Sequence, residues 1–441
     1  MSAVNTNLEL FPDLHPAFDR QAALVEASRC LFCFDAPCTA ACPTHIDVPR
    51  FIRKISTDNV RGSALTILGA NILGLSCSRV CPVGVLCEGA CVMHRYNEKP
   101  IEIGRLQRFA MERFYDAGAK FGGPAKERSE QVACVGAGPA SLACAAELRQ
   151  HGIGVTIFEQ KPFGGGLNTY GVAEYKLRMS DSLREVEFIR AMGVKFEQLA
   201  VGTSIPIEHL ENDFRFVFLG MGLGAMNRMD IPGENLPGVV SALKFISDYK
   251  TGDLPAVGNR VVVIGGGNTA IDAANAARRL GAAEVSIIYR RTEKEMPAFA
   301  FEYAHSKKEG VQFLWLTQPV ALHSTKDNRV DSVECVRMEM GQPDAGGRRS
   351  PKPIPASNFT IECDMVIPSL GQGRFTSLIE DLPGMSIHNG CVAVDRETGR
   401  TGHPKYYAGG DCVNGGREVV DAAADGKRAA LAMIRALEQG S

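Results

Sequence analysis

The chain has little net charge, few histidines and no long uninterrupted apolar run. Its 48 Lys and Arg residues against 50 Asp and Glu residues leave a formal net charge of −2. This balance argues against a nucleic-acid-binding surface and against a polybasic membrane patch. The nine histidines show no ligand-like spacing, and no Ser/His/Asp constellation is present, so nothing indicates a triad enzyme.

Targeting and membrane-spanning signals are also missing. No apolar stretch follows a basic N-terminus, so we expect no signal peptide and a cytoplasmic protein. The most apolar long window, residues 64–86, contains Arg79, two cysteines and Pro82, which argues against a membrane span. A chain of 441 residues is long enough for roughly two to four domains.

The most informative feature is a cysteine block. Eight of the 14 cysteines lie within residues 30–91. They form two runs, Cys30-x2-Cys33-x4-Cys38-x3-Cys42-Pro43 and Cys77-x3-Cys81-Pro82-x4-Cys87-x3-Cys91. Short loops of this kind let several thiolates converge on one iron–sulfur cluster, and in two-cluster ferredoxins the last cysteine of a run ligates the other cluster. The block therefore predicts iron–sulfur clusters, which carry single electrons.

A non-catalytic zinc- and nucleotide-binding module is the alternative from a different functional class. Four-cysteine zinc sites usually use paired CxxC knuckles, and only Cys30 and Cys33 have that spacing here. The six cysteines outside the block lie in apolar contexts and are interpreted as core residues. They are Cys134, Cys144, Cys335, Cys363, Cys391 and Cys412.

Composition divides the chain into a helical part, a linker and an α/β part. Residues 1–125 carry helical patterns, at 49–56 and 103–114, and residues 118–131 have the composition of a linker. Beyond it, β-rich runs alternate with Ala-rich helical segments, which is typical of parallel α/β architecture.

The first nucleotide-binding motif follows a predicted strand at 132–135. Gly136, Gly138 and Ser141 occupy the three GxGxxG positions, where the glycines allow a tight turn and close approach of the backbone to a pyrophosphate. The next strand, 155–158, ends in Glu159, which is placed to accept hydrogen bonds from a ribose.

A second motif of the same kind follows a strand at 261–264. Gly265 and Gly267 are in place, Ala270 replaces the third glycine, and the next strand, 285–289, is followed by Arg290 and Arg291 instead of an acid. Guanidinium groups suit the 2′-phosphate of NADP, although surface exposure of one or both is the alternative.

A third motif lies near the C-terminus, where Lys405-Tyr-Tyr-Ala-Gly-Gly-Asp411 precedes a helical pattern at 418–434. Asp411 could bond a flavin ribitol, and the helix dipole would favour the flavin ring. This motif would complete the first nucleotide fold, so the second would be inserted into it. We therefore expect a helical iron–sulfur domain at 1–125, a split FAD domain at 131–239 and 370–441, and an NAD(P) domain at 240–369.

The cysteine block, GAGPAS, GGGNTAID and YAGGD, in this order, resemble the N-terminal half of dihydropyrimidine dehydrogenase and, similarly, the glutamate synthase small subunit. The resemblance covers nearly the whole chain. It implies FAD, a pyridine nucleotide and two [4Fe–4S] clusters. One cluster would be held by Cys30, Cys33, Cys38 and Cys91, and the other by Cys42, Cys81, Cys87 and Gln107.

Gln107 and Ser141 separate the two relatives. The resemblance implies Glu in place of Gln107 in glutamate synthases and Gln in dihydropyrimidine dehydrogenases, and GAGPAS matches the latter. Cys77 is left over and is interpreted as a packing residue. The remaining positions that the resemblance assigns to cofactors are Ala140, Leu167, Lys176 and Val419 for the flavin, and Asn268, Thr269 and Gly371 for the nicotinamide nucleotide.

The resemblance also implies a role and a partner. Dihydropyrimidine dehydrogenase of animals continues into an FMN-containing barrel, which this sequence lacks, so the chain is similar to the electron-input subunit of a bacterial two-subunit enzyme. It would oxidise NAD(H), with NADP(H) as the alternative, and pass electrons to an FMN-containing, pyrimidine-reducing subunit, in a heterotetramer. A glutamate synthase small subunit or another NADPH–flavin–ferredoxin-type oxidoreductase is the alternative within the enzyme class.

Overall fold

The computed structural model describes residues 10–122, 126–253, 256–324, 327–343, 349–374, 378–380 and 382–439. The first part is helical, as predicted, and short 3₁₀ turns at Val83–Val85 and Val92–Tyr96 carry the chain past the second cysteine run. Its helices are α1 Arg20–Ser28, α2 Pro37–Ala40, α3 Val48–Ser56, α4 Val60–Ala70, α5 Gly74–Val80 and α6 Ile103–Asp116. Asp19, Asp47 and Asn59 cap α1, α3 and α4 by accepting first-turn amide hydrogen bonds, as short polar side chains do.

The first nucleotide fold is built on a five-stranded parallel sheet in the order β14-β4-β1-β2-β3. The chain leaves this sheet after β4 and returns to it only with β14, which is the predicted insertion. Its elements up to that point are β1 Gln131–Val135, α7 Pro139–Gln150, β2 Gly154–Phe158, α8 Leu167–Tyr170, α9 Met179–Ala191, β3 Lys195–Glu197, α10 Leu210–Asp213 and β4 Phe216–Leu219. After the insertion come β12 Ile387–His388, β13 Cys391–Val392, β14 Tyr406–Ala408, α14 Asp411–Asn414 and α15 Val419–Gln439.

The second nucleotide fold has its own four-stranded parallel sheet, in the order β11-β5-β6-β7, and a three-stranded antiparallel sheet, β10-β9-β8. Its elements are α11 Ala242–Thr251, β5 Arg260–Ile264, α12 Asn268–Arg279, β6 Glu284–Tyr289, α13 Ala300–Lys308, β7 Gln312–Trp315, β8 Thr317–His323, β9 Ser332–Pro343, β10 Arg349–Glu362 and β11 Met365–Pro368. The predicted fold class, a helical domain followed by two Rossmann-like folds with one inserted in the other, is confirmed.

Contacts divide the chain into two compact units. The inserted unit comprises residues 10–12, Tyr170–Tyr175 and Ala225–Gly373, and the main unit comprises Asp13–Thr169, Lys176–Gly224 and Arg374–Ser441. Within the main unit, one continuous hydrophobic core contains residues of the helical part, such as Phe51 and Phe109, together with Cys144 and Met433 of the first nucleotide fold. The predicted domain limits within this unit stay predictions.

In the described part of the chain, no single helix is long and apolar enough to cross a membrane. Helices α4 and α5 reach that length and composition only as a pair, across a bend of 88°. Both helices contribute fully buried residues to the core of the main unit, among them Ile67 and Leu75.

Candidate iron–sulfur and nucleotide sites

The cysteine block folds around two cavities in the main unit. The first cavity, with about 370 Å³ of space not filled by atoms, brings together Cys30, Cys33, Cys38 and Cys91. The second, with about 350 Å³, brings together Cys42, Cys81, Cys87 and Gln107. These are the two sets that the family resemblance implied, although the ligand roles themselves stay predictions.

The cavities fit clusters better than single ions. Among the described residues, no three His, Cys, Asp or Glu side chains are placed to hold one metal ion together. A zinc ion binds sulfur at about 2.3 Å, which requires its thiolates to lie only about 4 Å apart. Inorganic sulfide and several irons fill a wider ring of cysteines, so the zinc-module alternative fits this geometry less well.

Burial favours the protonated form of four cysteines of these cavities, Cys30, Cys38, Cys81 and Cys87. Desolvation raises the pKa of Cys30, and it raises the pKa of Cys38 to about 12. A hydrogen bond with Cys77, together with burial, raises the pKa of Cys81 well above its usual value, and burial raises the pKa of Cys87. At these four cysteines a bound metal would have to displace the protons for thiolates to form.

Gln107 is held with its amide nitrogen away from the second cavity. Its Nε2 donates to the carbonyl oxygen of Gly74 at 2.7 Å, and the side chain is buried in the cavity wall. Because Gly74 presents an acceptor, the group that faces it must be the NH2. Among the described contacts Oε1 accepts no hydrogen bond, and it is the atom of this side chain that remains for a ligand.

Sequence reasoning missed two contributors to this cavity. Cys77, which was interpreted as a packing residue, lies in its wall, and its Sγ accepts a hydrogen bond from Asn71 at 3.2 Å. Val420, in the first turn of α15, also lines the cavity. It follows directly on Val419, the half-buried residue that was assigned to the flavin. No pattern in the sequence marks Val420, since an apolar residue in a helix is ordinary.

The flavin-type site forms where β1 turns into α7. Gly136 has a φ of +86°, and a Cβ there would lie 2.9 Å from the Gly220 carbonyl oxygen, so glycine is required. Gly138 provides no side-chain cap for α7, which leaves first-turn amides for an anionic ligand. The Glu159 carboxylate accepts hydrogen bonds from Ala137 N and Lys161 N, both at 2.8 Å, and lies against the turn, where ribose contacts were predicted.

Further predicted flavin residues also lie in the main unit. Ala140 is buried in the first turn of α7, Leu167 is partly exposed at the start of α8, and Lys176 is buried. Asp411 begins α14; burial raises the pKa of its carboxyl, and Oδ1 accepts from Arg417 N at 3.3 Å. Asp425, which the sequence reasoning missed, accepts from Gly410 N at 2.9 Å and fixes the turn before Asp411.

The inserted unit repeats the glycine turn between β5 and α12. Gly265 has a φ of +142°, and a Cβ there would lie 2.3 Å from the Ser369 carbonyl oxygen. Gly267 is the N-cap residue of α12 and offers no side-chain acceptor to its first-turn amides. Thr269 is half-buried in that first turn. Asn268 Oδ1 accepts a hydrogen bond from Phe299 N at 3.1 Å, and the predicted nucleotide contact of this side chain stays a prediction. Gly371 closes the neighbouring turn, where its carbonyl oxygen accepts from Asn227 N at 2.9 Å.

The end of β6 is followed by two arginines. Arg290 is exposed, whereas the Nε of Arg291 is buried and has no hydrogen-bond partner among the described residues. Two acids follow it in sequence and accept hydrogen bonds within the inserted unit, Glu293 from Tyr303 Oη at 3.0 Å and Glu295 from Thr292 N at 3.2 Å. The orphaned guanidinium N–H is what a phosphate at this point would satisfy.

Comparisons with known proteins agree with both parts of this architecture. Residues 7–119 match the family described as dihydropyrimidine dehydrogenase domain II, 4Fe-4S cluster. Residues 130–426 match the pyridine nucleotide-disulphide oxidoreductase family. The fold of the nucleotide-binding part is also that of Mycobacterium tuberculosis FprA in complex with NADPH, with a TM-score of 0.58 and 21% identity over 71% of this chain and 86% of that one.

Two curated relatives align along almost the whole chain. The beta subunit of NADP(+)-dependent formate dehydrogenase from Moorella thermoacetica is 36% identical over 432 residues, which is 92% of this chain but only 60% of that protein. The glutamate synthase [NADPH] small chain of Escherichia coli K12 is 33% identical over 448 residues, 97% of this chain and 94% of that protein. These relatives share the architecture without singling out a dihydropyrimidine dehydrogenase. The chain thus belongs to the pyridine nucleotide-disulphide oxidoreductase family and is a flavin and iron–sulfur oxidoreductase whose nucleotide-binding folds follow a helical iron–sulfur domain.

Proposed function

We propose that this chain is the electron-input subunit of a larger oxidoreductase, in which it oxidises NADPH at FAD and passes electrons through two [4Fe–4S] clusters to a partner. The observation that carries the proposal is the adjacency of the predicted cofactor positions in the main unit. The second cysteine cavity is lined by Val420, the neighbour of the predicted flavin residue Val419. When bound, FAD converts a two-electron donor into a source of single electrons, and clusters accept electrons singly.

The exposure of apolar side chains supports an order in which electrons pass through the two cavities. In the described part of the chain, the five most exposed large apolar side chains lie on α1 or in and next to the cysteine loops, and Phe34 is fully exposed. They are Val25, Leu31, Phe34, Val85 and Tyr96. All five fall within residues 25–96, and exposed apolar side chains gathered in one region are what a protein interface presents. Leu31 also lines the first cavity, so electrons would enter at the second cavity and leave from the first toward the partner.

NADPH is favoured over the NAD expected from the bacterial dihydropyrimidine dehydrogenases. Arg291 has an unsatisfied buried N–H at the predicted 2′-phosphate position, and Arg290 and Arg291 follow this strand where an NAD site would carry an acid. The curated relatives, too, are described by their names as NADP(+)- or NADPH-dependent.

The direct test is anaerobic stopped-flow mixing of the reconstituted chain with NADPH and, separately, with NADH. Flavin bleaching should be fast with NADPH and slower with NADH, and cluster absorbance should fall afterwards. If neither nucleotide bleaches the flavin, electron input at this chain is wrong. If the flavin is bleached but the clusters stay oxidised, the relay through the cavities is wrong.

Two partner classes are compatible with the chain. The glutamate synthase relative aligns over nearly its full length, which favours an amidotransferase-type partner. Gln107 favours the pyrimidine-reducing FMN subunit instead, since the resemblance places Gln there in dihydropyrimidine dehydrogenases and Glu in glutamate synthases. A tagged chain purified with its natural partner from its own cells should be assayed for NADPH-dependent glutamate synthesis and for reduction of uracil and thymine. Activity in one assay selects that partner class, and activity in neither excludes both.

A further inference from the structure

Glu185 is a buried carboxylate that caps a helix far from it in sequence. It lies on α9 and is 1% exposed. Its Oε1 accepts from Leu75 N at 2.8 Å, and its two oxygens accept from Ser76 N at 3.2 Å and from the Ser76 hydroxyl. These are first-turn amides of α5, which receives no cap from its own neighbouring side chains. Such amides need an acceptor when water is excluded.

The same turn orients the predicted oxygen ligand of the second cavity. Gly74, the first residue of α5, accepts the hydrogen bond from Gln107 Nε2 at 2.7 Å. The position is tightly packed, because a Cβ on Gly74 would lie 2.6 Å from Ile67 Cγ2. A shift of this turn would therefore move the Gly74 carbonyl and, with it, the amide of Gln107.

We propose that Glu185 is a positioning residue for the second cluster: by holding the first turn of α5, it keeps Gly74 where it turns Gln107 Oε1 into the cavity. The inference rests on the proposed function, which places a cluster there. Groups that do not touch a metal but orient its ligands affect metal affinity by about 10- to 100-fold. Glu185 would act through two hydrogen-bonded steps. In the first, it accepts hydrogen bonds from Leu75 and Ser76; in the second, the Gly74 carbonyl accepts one from Gln107.

The test compares Glu185→Leu with Glu185→Gln in the reconstituted holoprotein. Leucine cannot accept from the α5 amides, whereas the glutamine oxygen can still accept from Leu75 N and its NH2 can donate to the Ser76 hydroxyl. We expect Glu185→Leu to shift the EPR signal and midpoint potential of the second cluster and to make it about 10- to 100-fold more susceptible to an iron chelator. Glu185→Gln should resemble wild type, and so should Glu187→Leu, an exposed position on the same helix.

A double mutant separates this route from general destabilisation. Gln107→Glu keeps an oxygen ligand but cannot donate to the Gly74 carbonyl, so it breaks the second step by itself. The double mutant, with Glu185→Leu added to Gln107→Glu, should then show the same EPR signal and midpoint potential of the second cluster as the single Gln107→Glu variant. Additive shifts would overturn the proposed route.

Two internal readouts keep the result interpretable. The signal of the first cluster and the bound FAD should be unaffected in Glu185→Leu, and loss of all three cofactors together would mean a folding defect and overturn the positioning role. A wild-type chain without a second cluster would overturn the proposed function and this inference with it. A wild-type chain with both clusters, and a Glu185→Leu variant whose second cluster is unchanged, would overturn this inference alone.

Discussion

At the scale of single residues, the proposed preference for NADPH over NADH makes Arg291 the position to test. Its buried Nε lacks a partner in the described structure, and a charge-assisted hydrogen bond to phosphate contributes about 1.5–3 kcal/mol. We therefore expect Arg291→Ala to raise the KM for NADPH about 10- to 100-fold and to leave the KM for NADH nearly unchanged. Steady-state assays with an artificial electron acceptor measure both constants.

The exposed neighbour Lys294 supplies the control for Arg291. Lys294→Ala removes a nearby positive charge without removing the buried N–H, so its effect on the KM for NADPH should be small at physiological salt. Equal effects of the two substitutions, or an equal rise of both KM values in Arg291→Ala, would mean that Arg291 does not bind the 2′-phosphate.

Glu185 should also make stability depend on pH. Burial raises the pKa of its carboxyl from 4.5 to about 8, although Leu75 and Ser76 donate hydrogen bonds that lower it. Because the folded state binds this proton more tightly than the unfolded state, the stability it confers is fully present below about pH 4.5. It declines as pH rises toward 8, by up to about 1.4 kcal/mol per pH unit. Two titratable groups face Glu185: Asp181 on its own helix and Tyr115 on α6. Burial raises the pKa of Tyr115 well above its usual value, so this phenol stays protonated between pH 4.5 and pH 8.

Glu185→Gln removes this ionisation and should flatten the profile. Thermal unfolding of wild type and variant between pH 5 and pH 8.5 checks the expectation. The melting temperature of the variant should rise relative to that of wild type with increasing pH, and the difference should stop growing above about pH 8. Parallel curves would show that the carboxylate is solvated in the native protein.

At the scale of elements, the approach of α15 to α7 depends on Gly426. A Cβ at this position would lie 1.9 Å from the Ala140 carbonyl oxygen and 3.0 Å from Cys144 N, and backbone atoms cannot rotate away. Gly426→Ala should push α7 out of place, together with the glycine turn before it, and so weaken FAD binding and lower the melting temperature. Overpacking of this kind costs about 1–3 kcal/mol. Fluorescence of released FAD during thermal unfolding measures both effects.

Gly69 offers a matched glycine-to-alanine control. It lies in α4, and a Cβ there would meet nothing within 4 Å. Gly69→Ala should therefore stabilise the protein slightly, by about 0.4–1 kcal/mol, because alanine loses less conformational entropy on folding. If Gly426→Ala is as harmless as Gly69→Ala, the close contact between α7 and α15 is not rigid.

Element positions were predictable where the local pattern decides them. The strand predicted at 261–264 is Arg260–Ile264, and the helix predicted at 103–114 is Ile103–Asp116, because apolar β-branched runs bounded by glycine, and apolar residues at helical spacing, are local signals. The role of Glu185 was not predictable, since it joins positions 110 residues apart. Nor was the bond between Asn268 and Phe299 N, because in sequence Asn268 appears only as a polar residue after a glycine turn.

At the scale of the whole molecule, composition separates a helical zone from an α/β zone beyond a linker, but contacts divide the chain differently, into two units. The helical zone and the first nucleotide fold have one hydrophobic core, shown by Phe51 and Met433 in the same buried cluster. The inserted unit has a core of its own, which includes Val262, Val333 and Cys363. Composition reports local secondary-structure preference and cannot show whether two zones bury their apolar faces together, which is why the sequence alone did not predict this pairing.

This difference predicts how the molecule unfolds. Elements that bury one core lose it together, so calorimetry of the reconstituted chain should resolve two transitions, one for each unit. NADP+ at about 100 times its Kd should stabilise only the inserted unit, by about 2.7 kcal/mol. Removal of iron should destabilise only the transition in which FAD is released, because the cluster cavities and the flavin turn belong to the main unit. Three transitions, with FAD release separate from the iron-sensitive one, would instead support independent iron–sulfur and FAD domains.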